Sequence, residues 1–200
     1  MRRHTLGIIV GVFCQLLFLS GCFFEWHGHE HEEHEEEEHE EHEGRERREH
    51  GRHSELMGVG QAAPAFAAID GRGQQVNLAD YTGKRSVVLV FYVKDNTPVC
   101  TQQLCAVRDN YSRFVGEDVA VLGVNPGDAK SHEEFAAENQ LPFPLVVDKE
   151  MTIAKAYGCE GENGRIERTV YGIDREGKIV FAERGSPKPE EILDAFGMGN

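Results

Sequence analysis

Residues 86–105 read SVVLVFYVKDNTPVCTQQLC. The first eight, Ser86 to Val93, are dominated by β-branched and aromatic side chains without polar alternation. That pattern belongs to a strand covered on both faces. Downstream, Leu104, Val107, Tyr111 and Phe114 recur at helical spacing, which predicts a helix over 97–114. Cys100 therefore falls where a central strand feeds a helix, in that helix's first turn. The positive end of the helix dipole and the free backbone N–H groups there both favour a thiolate. An ordinary thiol, with a pKa near ~8.5, is mostly protonated at neutral pH and is a poor nucleophile. Read without its neighbours, Cys100 is equally a buried structural cysteine.

The text on either side extends the same architecture. Gln61-Ala62-Ala63-Pro64-Ala65-Phe66 leads to a turn at Asp70-Gly71-Arg72-Gly73, and Val76-Asn77-Leu78 reads as a short extended piece. Val119–Val124 (VAVLGV) is a second buried strand. Ser131–Asn139 reads as a helix, with Ser131 and Glu134 forming a capping box. Leu145–Val147 is a short strand and Thr152–Tyr157 a short helix. Thr169–Ile173 and Lys178–Ala182 flank a hairpin turn, Asp174-Arg175-Glu176-Gly177. Pro189–Phe196 closes with a helix. Strands alternating with helices, then a hairpin and a last helix, predict an α/β fold with a mixed central sheet flanked by helices. No internal repeat is present.

The 200 residues divide by composition into one domain and two leading segments. Residues 6–24 are apolar, 25–53 are charged, and the remainder is long enough to support one core. Residues 25–53 hold thirteen Glu against four Arg, net −9 of the chain's −14. With Arg2 and Arg3 set aside, the chain from Ser54 onward is left at −7. An acidic domain repels phosphate backbones, so nucleic acid is excluded as a partner.

Met1-Arg2-Arg3-His4 is a basic start, Leu6–Leu19 is apolar, and Leu19-Ser20-Gly21-Cys22 closes the stretch. Basic residues, a short apolar core and small residues before a cut describe a secretory signal over 1–21. The other reading of Leu6–Phe24 is a transmembrane helix near the lower length limit for spanning. Leu-Ser-Gly-Cys resembles a bacterial lipobox, which implies lipid on Cys22 and loss of Cys14 with the signal. Two or more acyl chains give the stable anchoring that one does not. The expected location is the cell envelope, with the domain on the membrane and facing the periplasm or exterior. Residues 25–53 carry eight His and no aliphatic side chain. Such a segment cannot offset its ordering entropy and reads, over 22–56, as a solvated tether. His27, His31 and His34 would share one helix face, as would His39 and His42. Imidazoles suit zinc, copper or nickel, so weak metal binding by the tether is the expectation, without a defined metal site.

Phe91 to Cys105 resembles the active-site stretch of peroxiredoxins of the atypical two-cysteine PrxQ/bacterioferritin-comigratory type, in the AhpC/TSA superfamily. The likeness runs from about Met57 to Phe196. It includes Gly60, Pro64-Ala65-Phe66, Phe143-Pro144-Leu145, Asp148, Ile173-Asp174 and Gly177-Lys178-Ile179. The resemblance implies a thioredoxin-like fold over 57–200 and a monomeric thiol peroxidase acting on hydrogen peroxide or organic hydroperoxides. It implies no cofactor and a thioredoxin-like reductant. By position, Cys100 would be the peroxidatic cysteine, Thr97 would hydrogen-bond the peroxide, Arg168 would be the family's arginine, and Cys105 the resolving cysteine. Thr97 also reads as a helix N-cap, and Arg168 read in isolation is a surface residue. A guanidinium stabilises both a thiolate and a developing oxyanion. The oxidised sulfur is a sulfenic acid that a second thiol converts to a disulfide.

One position departs from the family pattern: Val93, seven before Cys100, stands where proline is usual. Cys105 carries a geometric consequence. In an intact α-helix, residues i and i+5 lie about 140° apart around the axis and about 7.5 Å along it. A disulfide needs Cα atoms within about 7 Å. A Cys100–Cys105 bond therefore requires the helix start to unwind. Cys159 reads as a core or loop cysteine and the alternative resolving partner. Two further readings compete. A thiol–disulfide oxidoreductase of the exported thioredoxin-like class normally has C-x-x-C, and here the spacing is C-x-x-x-x-C. A metal-binding lipoprotein with an inactive peroxiredoxin fold is the non-enzymatic reading.

Overall fold

The computed structural model describes residues 54–197. The signal, the lipobox cysteine and the tether as far as His53 fall outside the described residues. Among the described residues no helix is long and apolar enough to cross a membrane.

A small antiparallel hairpin comes first, β1 (Ala67–Ile69) against β2 (Gln75–Asn77). Its turn is the expected Asp70–Gly73, held by Asp70 Oδ1, which accepts from the backbone N–H groups of Arg72 and Gln74. The sequence reading had the turn but not β1, whose Ala-Ala-Ile carries no alternation. Then follow β3 (Ser86–Phe91), α1 (Pro98–Asp109), α2 (Tyr111–Gly116) and β4 (Val119–Asn125). Next come α3 (Ala129–Glu138), β5 (Leu145–Val147), α4 (Thr152–Ala156), β6 (Thr169–Ile173), β7 (Ile179–Arg184) and α5 (Pro189–Asp194).

The five long-range strands form one mixed sheet in the order β5-β4-β3-β6-β7. β3, β4 and β5 run parallel, and β6 and β7 are antiparallel to their neighbours. β3 lies at the centre with all six residues buried, as its unbroken apolar run requires. Its side chains alternate between two cores. Val87, Leu89 and Phe91 join α4 and the β1–β2 hairpin on one face. Val88 and Val90, with Tyr92 just beyond, join α1, α2, α3 and α5 on the other. Helices thus flank a mixed central sheet, as expected.

Two expectations shift in detail. The helix read over 97–114 is broken at Asn110, whose side-chain amide donates to the Ala106 carbonyl at 2.9 Å. A short polar side chain that satisfies a helical carbonyl competes with the continuing backbone. α3 starts two residues before Ser131, with Asp128 as its cap accepting from the Ser131 N–H at 2.8 Å. The Ser131 hydroxyl is thereby released for another use. The hairpin turn at 174–177 is as read, closed by Lys178 N–H on Asp174 Oδ1 and by Gly177 at φ +78°. Ser54 to Leu56, read as the end of the tether, pack on the domain. Ser54 hydrogen-bonds Glu160 and Arg184, and Leu56 lies against the core.

Candidate active site

Cys100 is the third residue of α1, and its side chain has no exposed surface. β3 delivers the chain to this end of the sheet, and the Val93–Thr97 turn carries it into the helix. β6 lies antiparallel beside β3 with Phe91 opposite Thr169. That register sets Arg168, the residue before β6, next to the turn leaving β3. Its carbonyl is tied to β7 by the Gly185 N–H at 2.7 Å. Arg168 is half-buried, and its Nη2 donates to Cys100 Sγ at 3.4 Å. Its Nε is buried with no hydrogen-bond partner, a donor left unspent.

Thr97 occupies the N-cap position of α1, but its hydroxyl makes no capping bond. The hydroxyl reaches the Lys94 carbonyl at 3.1 Å instead, and its single hydrogen has Cys100 sulfur as the alternative acceptor. Burial pushes the Cys100 thiol up. Hydrogen bonds from Thr97, from Arg168 and from the backbone of Lys94 and Val93 outweigh it and hold the pKa below the ordinary value. The buried sulfur is thus ringed by donors that favour its thiolate form. Val93 and Val99 beside it are among the few exposed large apolar side chains.

Cys105 lies five residues on in the same helix, half-buried, with Sγ 3.9 Å from Asn139 Oδ1. α1 is intact from Pro98 to Asp109, and Cys100, Cys105 and Cys159 are all free thiols. Cys159 is fully buried in the core of the opposite sheet face from Cys100. Burial pushes its thiol up to about 12 despite hydrogen bonding from Thr169 and Tyr171. A protonated sulfur behind the sheet is a core residue, and the sheet separates it from Cys100. Among the described residues, no group of three or more His, Cys, Asp or Glu could hold a metal ion.

The structure brings Cys100, Thr97 and Arg168 together as the sequence reading required. It adds a buried polar cluster that the reading missed: Asp95 with Tyr92, Asn125, Ser131 and His132. Asp95 stood in the quoted stretch as one polar residue of a turn, and nothing in the spacing linked it to positions 30 or more residues away.

Comparisons with known proteins agree with this geometry. The AhpC/TSA family model matches residues 59–182. A putative peroxiredoxin bcp of Coxiella burnetii is 40% identical over 128 residues, 60% of this chain and 84% of that protein. Peroxiredoxin Bcp of Bacillus subtilis is 37% identical over 145 residues, 69% of this chain and 92% of that protein. Among solved structures, a cysteine mutant of PrxQ from Xylella fastidiosa superposes with a TM-score of 0.65 at 28% identity, covering 72% of this chain and 95% of that one. The fold is thioredoxin-like, and these likenesses favour the peroxidase over the oxidoreductase and non-enzymatic readings. The chain therefore belongs to the AhpC/TSA family, within it to the peroxiredoxins of the Bcp and PrxQ kind, and its activity is that of a thiol-dependent peroxidase.

Proposed function

We propose that Cys100 is the peroxidatic cysteine, that Thr97 and Arg168 bind the peroxide, and that Cys105 resolves the oxidised sulfur. The observation that carries this reading is the Arg168 Nη2 contact to Cys100 Sγ at 3.4 Å, at the start of α1. The thiolate attacks one peroxide oxygen, forming an S–O bond as the O–O bond breaks. The departing oxygen takes a proton and leaves as water or an alcohol. The unspent Arg168 donor and the Thr97 hydroxyl are positioned to stabilise that oxygen as its charge develops. Cys100, now a sulfenic acid, condenses with the Cys105 thiol. An S–S bond forms and water is lost.

Two electrons from an external dithiol then restore both thiols. A thioredoxin-like donor fits this role. Outside the cytoplasm no bulk thiol pool supplies those electrons, so a dedicated exported or membrane-bound partner is required there. Leu19-Ser20-Gly21-Cys22 supports an envelope location, with 1–21 removed and Cys22 lipidated. The eight His of 25–53 support weak, exchangeable metal binding by the tether. Titration of a 25–53 peptide with zinc checks that point, and no binding at tens of micromolar would end it.

Mass spectrometry after one equivalent of hydrogen peroxide tests the site. A Cys100–Cys105 disulfide is the expected product in the wild type, and a Cys100 sulfenic acid in Cys105→Ser. A disulfide through Cys159, or an unmodified Cys100, would overturn the assignment.

A further inference from the structure

Asp95 is a carboxylate with 4% exposure, set in the turn between β3 and α1. Its Oδ1 accepts from Tyr92 Oη at 2.8 Å and from Asn125 Nδ2 at 3.0 Å. Its Oδ2 accepts from Ser131 Oγ at 2.6 Å and from His132 Nδ1 at 2.8 Å. The four donors come from the end of β3, the end of β4 and the first turn of α3. His132 is fully buried, and its Nε2 has no hydrogen-bond partner. The cluster is closed by Gly127, where a Cβ would lie 2.6 Å from His132 Cε1 and 3.1 Å from Asp95 Oδ2.

A buried charge is costly unless it is well paired, so its place in a short surface turn calls for a reason. The neighbours supply one. Asn96, the next residue, has φ +56°, a left-handed conformation that asparagine tolerates better than most side-chain-bearing residues and that turns the chain sharply toward α1. Thr97 follows, with its hydroxyl on the Lys94 carbonyl. The groups facing Cys100 sulfur from this turn thus lie within two residues of Asp95 on either side.

We propose that Asp95, locked by His132 and Ser131 of α3, is a positioning residue for the peroxidatic sulfur: it holds the Val93–Thr97 turn in the shape that presents the Thr97 hydroxyl and the turn's backbone to Cys100. Among the described residues no hydrogen bond joins α3 to Cys100, Thr97 or Arg168, and its polar link to the turn runs through Asp95. This inference rests on Cys100 being the peroxidatic residue.

The test compares His132→Leu, similar in bulk but without a donor, with His132→Gln, which keeps an N–H donor, and with Ser131→Ala. Two quantities are read in the full chain: the rate of Cys100 oxidation by hydrogen peroxide in a single turnover, and the pH profile of Cys100 alkylation. In His132→Leu, oxidation is expected to slow at least tenfold and the alkylation profile to move to higher pH. His132→Gln should recover most of both, and Ser131→Ala should slow oxidation two- to fivefold. A role confined to packing would lower the melting temperature without moving the alkylation profile. Folded His132→Leu protein with the wild-type rate and profile would overturn the proposal. If His132→Leu does not fold, Ser131→Ala decides: a wild-type rate and profile there overturns it equally. Wild-type chain whose Cys100 is not oxidised by peroxide would instead refute the site assignment, independently of the variants.

Discussion

Cys100 lies in a core, and burial alone would make it an inert thiol. Hydrogen bonding to the sulfur reverses that outcome. Because the folded pKa is lowered, the thiolate's contribution to stability is complete above the unfolded thiol's value. It is lost as pH falls through the folded one. With Cys100 as the proposed peroxidatic residue, the peroxide rate follows the same thiolate: stopped-flow measurement should show a rate that levels off above the lowered pKa and declines below it. Arg168→Met keeps a long side chain but removes the donor. It should reduce the second-order rate on the order of a hundredfold and raise the Cys100 pKa, read by thiolate absorbance. Val93 acquires a physical meaning here. A proline at this position has no N–H, whereas the Val93 backbone is one of the groups that lower the Cys100 pKa. Val93→Pro should therefore move the alkylation profile of Cys100 to higher pH; a shift to lower pH would refute this role.

α1 is the element that a Cys100–Cys105 disulfide would reshape. It is intact in the reduced state, with Leu104 and Val107 buried beneath it and Arg108 Nη1 donating to the Asn139 carbonyl at 2.7 Å. Cys100 and Cys105 cannot bond across an unbroken helix, so resolution by Cys105, as proposed, requires the start of α1 to open. Hydrogen exchange should show the amides of 101–105 well protected in the reduced protein and exposed in the disulfide form. Equal protection in both would exclude unwinding. Leu104→Ala should cost about 2–5 kcal/mol of global stability, measured by urea denaturation, because Leu104 is a fully buried side chain of this helix. The turn before α1 is held from the other side by Asp95, so the helix opens against a fixed point.

At the scale of the whole molecule, the sheet divides the domain into two cores. Cys100 lies in one and Cys159 in the other. Cys159→Ala should leave peroxide turnover unchanged while lowering stability by about 1 kcal/mol, read as a drop in Tm. The amino-terminal strap is a second whole-molecule feature. Leu56 packs on the core, and the Met57 N–H donates to Tyr171 Oη at 3.1 Å. A chain beginning at Ser54 should melt as the full chain does, and one beginning at Gly58 should melt several degrees lower in a thermal scan.

The central strand, the helix after it and the hairpin at 174–177 were legible because each is written locally, in apolar runs, helical spacing and turn chemistry. The place of Cys100 at a helix start and of Thr97 at its N-cap was legible for the same reason, since the two stand three positions apart in one turn; the peroxide contact of Thr97 came through resemblance. Arg168 was reached only through resemblance; what brings it to the sulfur is the pairing of Phe91 with Thr169 across β3 and β6. The break at Asn110, the start of α3 at Ala129 and the burial of Asp95 under His132 belonged to tertiary structure alone. Each depends on a polar group whose partner is chosen in three dimensions, and hydrogen bonds between distant segments leave no period in the sequence. Cys159 shows the same division: its thiol is chemically identical to that of Cys100, and only its place behind the sheet raises its pKa where that of Cys100 is lowered.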